Sequence, residues 1–324
     1  MSKSLEENLW KRIAHEEQRG RYLVPSNREE RQALERRVRA GMLISPYKDM
    51  FVRPEYLTQL SARARTLHTV KALAALHPDW TFCFSTAALL HGLQVSNKLL
   101  QPIDIAIEPT GNRRRASGIA ACHVVPHQEA LLVAGVRATA LLQTLLDCAC
   151  AYPFAYGLAI VDSALHWKLT TKEEVTEFFL QRGKGRHGIE TARKVAAYCD
   201  GRSDNGGESI ARAMIIELGF AVPELQVEIY DPMEPSVPKV ADYYWRRPDG
   251  HEIIGELDGL GKYQGVLSHQ NSDASDIVQA FSRERIRESH LNLTGATVIR
   301  FTIAQAQDED YMLKLLSTAG VPLR

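Results

Sequence analysis

Apolar residues in the last third of the chain recur in patterns that predict a helix followed by several strands. From Glu208 to Gly219 the apolar positions Ile210, Met214 and Leu218 recur at near-helical spacing, and Gly219 is suited to a C-cap. Downstream, apolar runs predict strands at Leu225–Tyr230, around Asp242, from Ile253 onward and at Ala296–Thr302, and a last helix at Ala304–Ala319. An arginine-rich helix with Arg283, Arg285 and Arg287 is predicted before the last strand. Residues 201–324 therefore read as an α/β domain.

A predicted hairpin in this domain gathers carboxylates. The Pro-Asp-Gly sequence at 248–250 lies between two apolar runs, which is a hairpin signal. Glu256 and Asp258 point to one face of the second strand because strand side chains alternate, and Asp242 on the first strand can lie beside Glu256. Glu208 lies in the first turn of the preceding helix, where the helix dipole favours a carboxylate.

These acids predict a site for metal-dependent phosphodiester cleavage. Carboxylates hold hard divalent cations, and a nearby lysine can orient the attacking water or stabilise the charge that develops on the phosphate. We predict that Asp242, Glu256 and Asp258 bind Mg²⁺ or Mn²⁺, and that Glu208, Asp242, Glu256 and Lys262 are catalytic. A structural cluster of carboxylates without a metal is the alternative.

The same stretch resembles the restriction-endonuclease-like PD-(D/E)XK superfamily, in its very-short-patch-repair-like branch. The resemblance rests on Glu-Leu-Asp-Gly-Leu-Gly-Lys-Tyr at 256–263, on the arginine-rich helix and on Val-Ile-Arg-Phe at 298–301. It implies a mixed central sheet, with a site built by a Glu on the first helix, an Asp on one strand and Glu-x-Asp-Gly on the next. The superfamily's lysine usually falls two residues after the glutamate, where this chain has Asp258, so Lys262 would reach in from the following loop.

The first 60 residues predict a small basic helical module. Two helices are predicted, at Leu5–Arg19 and from Ser26, a suitable N-cap, to Gly41. Residues 42–54 read as a short β-wing, and a basic helix followed by an aromatic, basic hairpin is the layout of a winged helix-turn-helix, which binds DNA in the major groove. The candidate DNA contacts are Arg28, Arg31, Arg36, Arg37, Arg39 and Lys48. A charged face on a module used only for packing is the alternative.

Residues 61–200 predict a small α+β domain in which strands precede apolar helices. The phrases at 84–93, 135–147 and 161–165 resemble the AbiEi-type antitoxin family of type IV toxin–antitoxin systems. That resemblance implies that the winged helix binds operator DNA and that the middle domain opposes a nucleotidyltransferase toxin. Some relatives append a nuclease-like C-terminal domain. His91 and Asp147 are expected to serve capping, packing and hydrogen bonding, and Arg113–Arg115 to lie in a loop.

Charge and composition change this picture in two ways. Residues 1–60 hold 12 Lys+Arg against 9 Asp+Glu and residues 61–200 hold 15 against 11, whereas residues 201–324 hold 12 against 19. Nucleic-acid binding is therefore expected mainly from the first two parts, and the acidic third part suits a metal site. Five cysteines without metal-ligand spacing, no secretion signal and no run of about 18 apolar residues predict a cytoplasmic protein outside the membrane.

The sequence thus predicts a multidomain α/β protein with a winged-helix module at 1–60, an AbiEi-like domain at 61–200 and a restriction-endonuclease-like domain at 201–324. Two functions follow, and a third, an RNA or nucleotide target handled by the middle domain, is selected by no residue pattern. The first is a Mg²⁺-dependent or Mn²⁺-dependent nuclease that binds DNA, in a phage-defence or toxin–antitoxin system. The second is a catalytically inert DNA-binding regulator or antitoxin, which the displaced lysine motivates. Among alternatives for the glycine-rich, basic stretch at 182–188, a connector is preferred to a phosphate-binding loop because the P-loop spacing is missing.

Overall fold

The computed structural model describes residues 3–107, 119–125, 130–230, 233, 236, 238–258, 290, 293 and 295–324. Lys262, Arg113–Arg115 and the predicted arginine-rich helix lie outside the described residues. The chain forms two compact units, Met1–Cys148 and Ala149–Arg324. Both combine helices with a mixed sheet, so the protein is a multidomain α/β protein. No helix in the described part of the chain is long and apolar enough to cross a membrane.

The first unit begins with helices and continues with a five-stranded sheet. Its elements are α1 (Lys3–Gln18), α2 (Arg28–Arg39), α3 (Pro54–Gln59), α4 (Ala62–Leu76), β1 (Thr81–Phe82), α5 (Phe84–Leu90), β2 (Ile103–Ile107), β3 (Ala120–Val124), β4 (Ala130–Val133), β5 (Val136–Thr139) and α6 (Leu141–Ala151), which ends in the second unit. The strand order is β3-β2-β1-β5-β4. Strands β2 and β3 are parallel, as are β1 and β5, whereas the other neighbours are antiparallel.

The N-terminal module packs α1 and α2 around an apolar seam that includes Leu9, Ile13 and Leu34. The predicted wing at 42–54 forms no strand: this segment contains one internal bridge, Ile44 to Val52, and Phe51 forms a second bridge with Leu23 outside it. Asn27, rather than the predicted Ser26, caps α2, because its side chain accepts a hydrogen bond from the Glu30 N–H at 2.9 Å. Ser26 instead donates its hydroxyl to the carboxylate of Glu30 at 2.6 Å.

The second unit is a four-stranded sheet with helices before and after it in the chain. Its elements are α7 (Phe154–His166), α8 (Lys172–Arg182), α9 (Ile189–Tyr198), α10 (Gly206–Glu217), β6 (Glu224–Ile229), β7 (Lys239–Arg246), β8 (Glu252–Asp258), β9 (Thr297–Thr302), α11 (Ile303–Ala306) and α12 (Glu309–Ala319). The strand order is β6-β7-β8-β9, with β8 and β9 parallel and the other pairs antiparallel. The predicted strands and the predicted helix at Glu208–Gly219 are present, whereas the single last helix predicted at Ala304–Ala319 is split into α11 and α12, because Gln307 ends the first and Asp308 caps the second.

One face of this sheet packs against helices and fixes which side chains remain for the other face. Tyr243, Trp245, Ile253 and Phe301 contribute to a core that α10 and α12 complete. Because strand side chains alternate, Tyr244 and Ile254 belong to a second, smaller cluster on the other side. Side chains therefore point away from the helix-packed face at the positions that flank Phe301 in β9 and Leu257 in β8.

The observed division of the chain differs from the predicted boundaries at 60 and 200. Residues 61–148 fold with the N-terminal module, and α7, α8 and α9 fold with the acidic sheet. A buried ion pair between Asp162 of α7 and Arg212 of α10 ties a helix of the predicted middle domain to the helix that carries Glu208. At the predicted boundary, residues 200–205 form a loop inside the second unit, and α10 begins directly after it at Gly206.

Candidate functional site

A row of polar residues crosses the sheet of the second unit, one on each strand. Glu256 of β8 is in register with Arg300 of β9. The β7–β8 ladder ends at Tyr243 and Gly255, and one further step places Asp242 opposite Glu256. In the β6–β7 ladder, Leu225 pairs with Tyr243 and Val227 with Ala241. Gln226, which lies between them on β6, is therefore opposite Asp242. We call Gln226, Asp242, Glu256 and Arg300 the polar row.

Asp242 occupies the point where β7 and β8 stop pairing through their backbones. Its Oδ2 accepts a hydrogen bond from the Leu257 N–H at 2.8 Å, so a carboxylate takes over a contact that a backbone carbonyl would otherwise make. The side chain is half-buried. The carboxylate of Asp242 is consequently held between the two strands, next to the position of Glu256.

Glu256 is ion-paired across the parallel strands. Arg300 donates from Nη2 to Glu256 Oε2 at 2.8 Å, and Arg300 Nη1 lies 3.8 Å from Asp258 Oδ1. The side chains of Glu256 and Arg300 are 12% and 19% exposed, whereas that of Asp258 is 45% exposed. The guanidinium therefore lies between two carboxylates that alternation places on the same face of β8.

Glu208 is held by the loop before its own helix and by the polar row. Its carboxylate accepts from the Asp204 N–H at 2.7 Å and from Asn205 Nδ2 at 2.6 Å, and Gln226 Nε2 donates to it at 3.3 Å. Gln226 has a φ of 53°, in the left-handed region that an L side chain rarely adopts. This strained backbone turns the side chain of Gln226 toward Glu208 and so joins the helix to the row.

The pKa of Tyr243 responds to the charges of these acids. Its hydroxyl donates to the backbone carbonyl of Glu208 at 2.8 Å. Burial raises the pKa of Tyr243 well above its usual value, and the charges of Glu208 and Asp242 raise it further. Both carboxylates therefore act on the same buried hydroxyl, although Glu208 belongs to α10 and Asp242 to β7.

The polar row fits a divalent cation in part. Asp242 and Glu256 bring two carboxylates from adjacent strands to neighbouring positions, which is a donor set for a hard cation. Within the described residues, however, no three His, Cys, Asp or Glu side chains are grouped so as to hold a metal ion. Glu208 is directed to its own loop, and Arg300 contacts Oε2 of Glu256. Lys262 lies outside the described residues.

The six predicted DNA contacts differ in their surroundings. Arg28, Arg36 and Lys48 are exposed, as is Arg39, whose side chain is 77% exposed. Arg31 is half-buried and ion-paired with Asp49 at 2.8 Å. Arg37 is buried, donates to the Ala33 carbonyl at 2.8 Å and contacts Glu6, so its guanidinium serves packing and is not presented to a ligand. The exposed basic surface of α2 is therefore smaller than the sequence predicts.

The first unit contains a separate buried polar cluster around Asp104 of β2. Asp104 accepts hydrogen bonds from the Ser85 hydroxyl at 2.7 Å and from His123 Nε2 at 2.9 Å. His91 contacts the Thr139 carbonyl through Nε2 at 2.9 Å, and burial lowers its pKa. Asp147 accepts from Gln143 of the same helix at 2.8 Å. The contacts of Ser85 and His91 tie α5 and its C-terminal end to the sheet, whereas that of Asp147 lies within α6.

Sequence reasoning missed Gln226 and Arg300. Arg300 sits in the apolar run Val298–Phe301, where a single charged residue flanked by core positions was a signal that it faces the other side of the strand. Gln226 gave no comparable signal, because its role depends on a left-handed backbone that its residue type does not favour.

Comparisons with known proteins add relatives without an assigned function. No family model matches the chain. Over 148 residues it is 30% identical to the uncharacterized proteins MT2308 and Rv2248 of two Mycobacterium tuberculosis strains, a match that takes in 46% of this chain and 53% of each relative. The chain thus spans about half the length of the curated relatives it matches.

One solved structure also matches. It is the crystal structure of the Rv2827c protein from Mycobacterium tuberculosis, with a TM-score of 0.32 and 14% identity, over 64% of this chain and 78% of that chain. A likeness at this level carries no argument about the fold or the function of the chain.

Proposed function

We propose that this chain is a metal-dependent, nuclease-like DNA-binding protein of a phage-defence or toxin–antitoxin system. The observation that carries the proposal is the polar row, in which Asp242 and Glu256 stand at neighbouring positions of adjacent strands. The sheet order and the flanking α10 and α12 are compatible with a restriction-endonuclease-like domain, and the N-terminal module with a degenerate winged helix. Neither assignment rests on the relatives.

In this proposal the acids of the row form the cation site. Asp242 and Glu256 would hold Mg²⁺ or Mn²⁺, with Asp258 assisting, and the bound cation supplies an activated water and neutralises charge on the phosphate. Asp242 is positioned for this by the Leu257 N–H, which fixes one of its oxygens. Glu208 acts through Gln226 and Tyr243, and Lys262 follows the strand that carries Glu256 and Asp258.

DNA would be bound through the exposed cations of the first unit. Arg28, Arg36, Arg39 and Lys48 present positive charge on or near α2, which suits phosphate contacts. Arg37 is excluded from this set by its burial, and Arg31 by its ion pair with Asp49. The acidic second unit would contribute to DNA contact only where its carboxylates are neutralised.

Cleavage of plasmid DNA tests the catalytic part of the proposal. The full chain is expected to nick or cut DNA with Mg²⁺ or Mn²⁺ and to lose this activity with EDTA, as Asp242→Asn, or as Glu256→Gln. Glu252→Gln is the matched control, because Glu252 is an acid of the same strand, β8, that pairs with Arg246 outside the row. Absence of cleavage with either cation, or equal activity in all three variants, overturns the proposal.

A second candidate is a catalytically inert DNA-binding regulator or antitoxin that opposes a nucleotidyltransferase toxin. The specific observation in its favour is that Arg300 already neutralises Glu256, while Glu208 is bonded by its own loop. This candidate expects salt-sensitive DNA binding that Asp242→Asn leaves unchanged, together with no cleavage of any DNA. Loss of binding in Asp242→Asn would exclude it.

A further inference from the structure

We propose that a cavity in the second unit binds the phosphate groups of a nucleoside polyphosphate. It lies between the end of α7, the start of α8 and the loop after α9, and its volume is about 640 Å³. Small-molecule sites have volumes of roughly 300–1,000 Å³, so a nucleotide can be held there. We call it the basic cavity, because its lining includes Lys168, Lys172, Arg202 and His166, while Asp200 is the carboxylate among its described lining residues.

The walls of the basic cavity are held in place by close contacts. A Cβ on Gly201 would lie 2.8 Å from the backbone carbon of Leu165, so this loop residue packs directly against the end of α7. His166 Nδ1 contacts the Gly201 carbonyl at 3.2 Å, and the Asp200 N–H donates to the buried carboxylate of Asp162 at 2.8 Å. The shape of the cavity is therefore set by the fold itself.

Two lysines give the basic cavity its excess positive charge. Neither Lys168 nor Lys172 forms an ion pair with a carboxylate in the described part of the chain. Lys172 Nζ donates to an uncharged group, the Ala197 carbonyl, at 2.9 Å. Arg202 and Asp200, by contrast, pair with each other at 2.7 Å, so their charges balance. The two ammonium groups are therefore the charges that an anion in the cavity can neutralise.

Lys168 occupies a backbone position that usually belongs to glycine. It has a φ of 54°, and α7 ends there in a Schellman motif. In this motif the Lys168 N–H donates to the Leu165 carbonyl and the Leu169 N–H to the Ala164 carbonyl, both at 2.9 Å. A side chain in the left-handed region is strained, and glycine avoids that strain. A lysine at such a position is evidence that its charge is used.

The donors of the basic cavity suit a compact anion with several negative charges. Lysine ammonium groups bind phosphate as point charges. The N-terminus of α8 is closed by its own capping box, since Glu174 accepts from the Thr171 N–H and from the Thr170 hydroxyl, so the lysines and not the helix end carry the site. Residues 149–324 hold 19 Lys+Arg against 25 Asp+Glu, and this acidic unit disfavours the extended backbone of a DNA strand. A polyphosphate concentrates its charge where the two lysines are.

The basic cavity is larger than a phosphate group needs, and part of its lining is apolar. Leu165 and Cys199 belong to this lining beside the cations. An apolar lining with a few charged groups is the usual composition of a site that binds an organic ligand and fixes its orientation. An organic group such as a nucleoside can therefore occupy the rest of the cavity.

Calorimetric titration of the full chain in EDTA tests the proposal with ATP, with inorganic pyrophosphate and with a single-stranded oligonucleotide that lacks terminal phosphates. EDTA keeps divalent cations away from the polar row. ATP and pyrophosphate are expected to bind, and an excess of the oligonucleotide is expected to leave ATP bound. If the oligonucleotide displaces ATP, the cavity takes nucleic-acid phosphates and the assignment to a nucleotide is overturned.

Three variants locate the binding. Lys168→Gly and Lys172→Met are each expected to weaken ATP binding about fivefold, because each removes one exposed charge contact. Lys172→Arg keeps the charge and is expected to bind ATP within about twofold of the unsubstituted protein. Lys184→Met is the matched control, since Lys184 is an exposed lysine of the same unit outside the described lining, and its affinity should be unchanged.

Thermal melting without ligand separates binding from folding. Lys168→Gly is expected to melt at the same temperature as the unsubstituted protein or at a higher one, because glycine relieves the left-handed backbone. A lower melting temperature would mean that the lysine serves the end of α7, where the helix dipole favours a cation, and would overturn the use assigned to its charge.

The outcomes separate this proposal from the proposed function. Absence of ATP and pyrophosphate binding, unchanged affinity in both Lys168→Gly and Lys172→Met, or an equal loss in Lys184→Met overturns the nucleotide site. None of these results bears on DNA cleavage, which is measured with Mg²⁺ or Mn²⁺ and depends on Asp242 and Glu256. Absence of cleavage, in turn, leaves ATP binding in EDTA to be decided by the lysine variants alone.

Discussion

Asp162 on α7 and Arg212 on α10 form an ion pair that is closed to solvent. Arg212 Nη2 donates to Asp162 Oδ2 at 2.5 Å, and the two side chains are 2% and 1% exposed. Asp162 Oδ1 accepts from the Asp200 N–H, and Arg212 Nη1 donates to the Tyr198 carbonyl, both at 2.8 Å. The pair therefore joins α7, the end of α9 and the helix that carries Glu208.

Arg212→Met is expected to destabilise the protein by about 3–5 kcal/mol, because it leaves a buried carboxylate without its cation. Burial already raises the pKa of Asp162, and Arg212 opposes that rise. Urea unfolding followed by circular dichroism measures the loss. Arg202→Met is the control, since it breaks the exposed Arg202–Asp200 pair and should cost about 1 kcal/mol or less. Similar losses in the two variants would contradict the structural role assigned to the buried pair.

Gly188 and Gly185 allow a matched test of the glycine-rich stretch at 182–188. Both have a φ of 76°, but a Cβ on Gly188 would collide with the carbonyl oxygen of Cys150, whereas a Cβ on Gly185 would meet nothing within 4 Å. Gly185→Ala should cost about 1–2 kcal/mol from the left-handed backbone alone. Gly188→Ala should cost clearly more in the same unfolding assay, and an equal cost would show that the close approach does not matter.

Asp242→Ala should destabilise the protein independently of any metal. It removes the acceptor of the Leu257 N–H at the point where β7 and β8 separate, and an unsatisfied buried donor costs about 1–3 kcal/mol. Asp242→Asn keeps an oxygen that can accept the same bond and should cost less than Asp242→Ala. Unfolding in EDTA compares the two variants. If Asn and Ala are equally costly, the hydrogen bond to Leu257 does not support the strands.

Under the proposed DNA-binding function, Arg36→Ala and Arg39→Ala are each expected to weaken DNA binding and to lower the salt slope by about 0.9, as each would remove one proposed phosphate contact. Fluorescence anisotropy at several salt concentrations measures both quantities. Arg193→Ala is the control, because Arg193 is an exposed arginine of α9 that pairs with Glu190 away from the N-terminal module. Unchanged affinity in both test variants would remove α2 as the DNA-binding element.

Acidification is expected to destabilise the protein partly through His68. Burial lowers the pKa of His68 below its usual value of 6.5. In the folded protein its Nδ1 contacts the Ala64 carbonyl at 2.6 Å and its Nε2 contacts the Tyr56 hydroxyl at 3.0 Å. The unfolded chain therefore takes up a proton before the folded one, so the stability is complete above pH 6.5 and falls as the pH drops toward the folded pKa. His68→Gln should reduce the dependence of the melting temperature on pH between about pH 7.5 and 5.5. An unchanged pH dependence would assign the effect to other groups.

Some of the site could be predicted from the sequence because it depends on local rules. The Asp-Gly turn was enough to predict the β7–β8 hairpin, and its register, continued one step past Tyr243 and Gly255, puts Asp242 opposite Glu256. Arg300 could not be placed, because its contact depends on the register of a parallel strand that begins 39 residues after β8 ends at Asp258. The burial of Arg37 could have been predicted from the sequence, because Arg37 lies one helical turn from Ala33 on the apolar seam of α2.

The position of α6 has a practical consequence for dissecting the chain. The division between the two compact units falls at Cys148 and Ala149, inside a helix that continues to Ala151. Expression fragments cut at that division would each carry helical N–H or C=O groups that have lost their hydrogen-bond partners. Fragments that end after Tyr152 and begin at Pro153 keep the hydrogen bonding of α6 intact, but the second fragment then lacks the Cys150 backbone against which Gly188 packs.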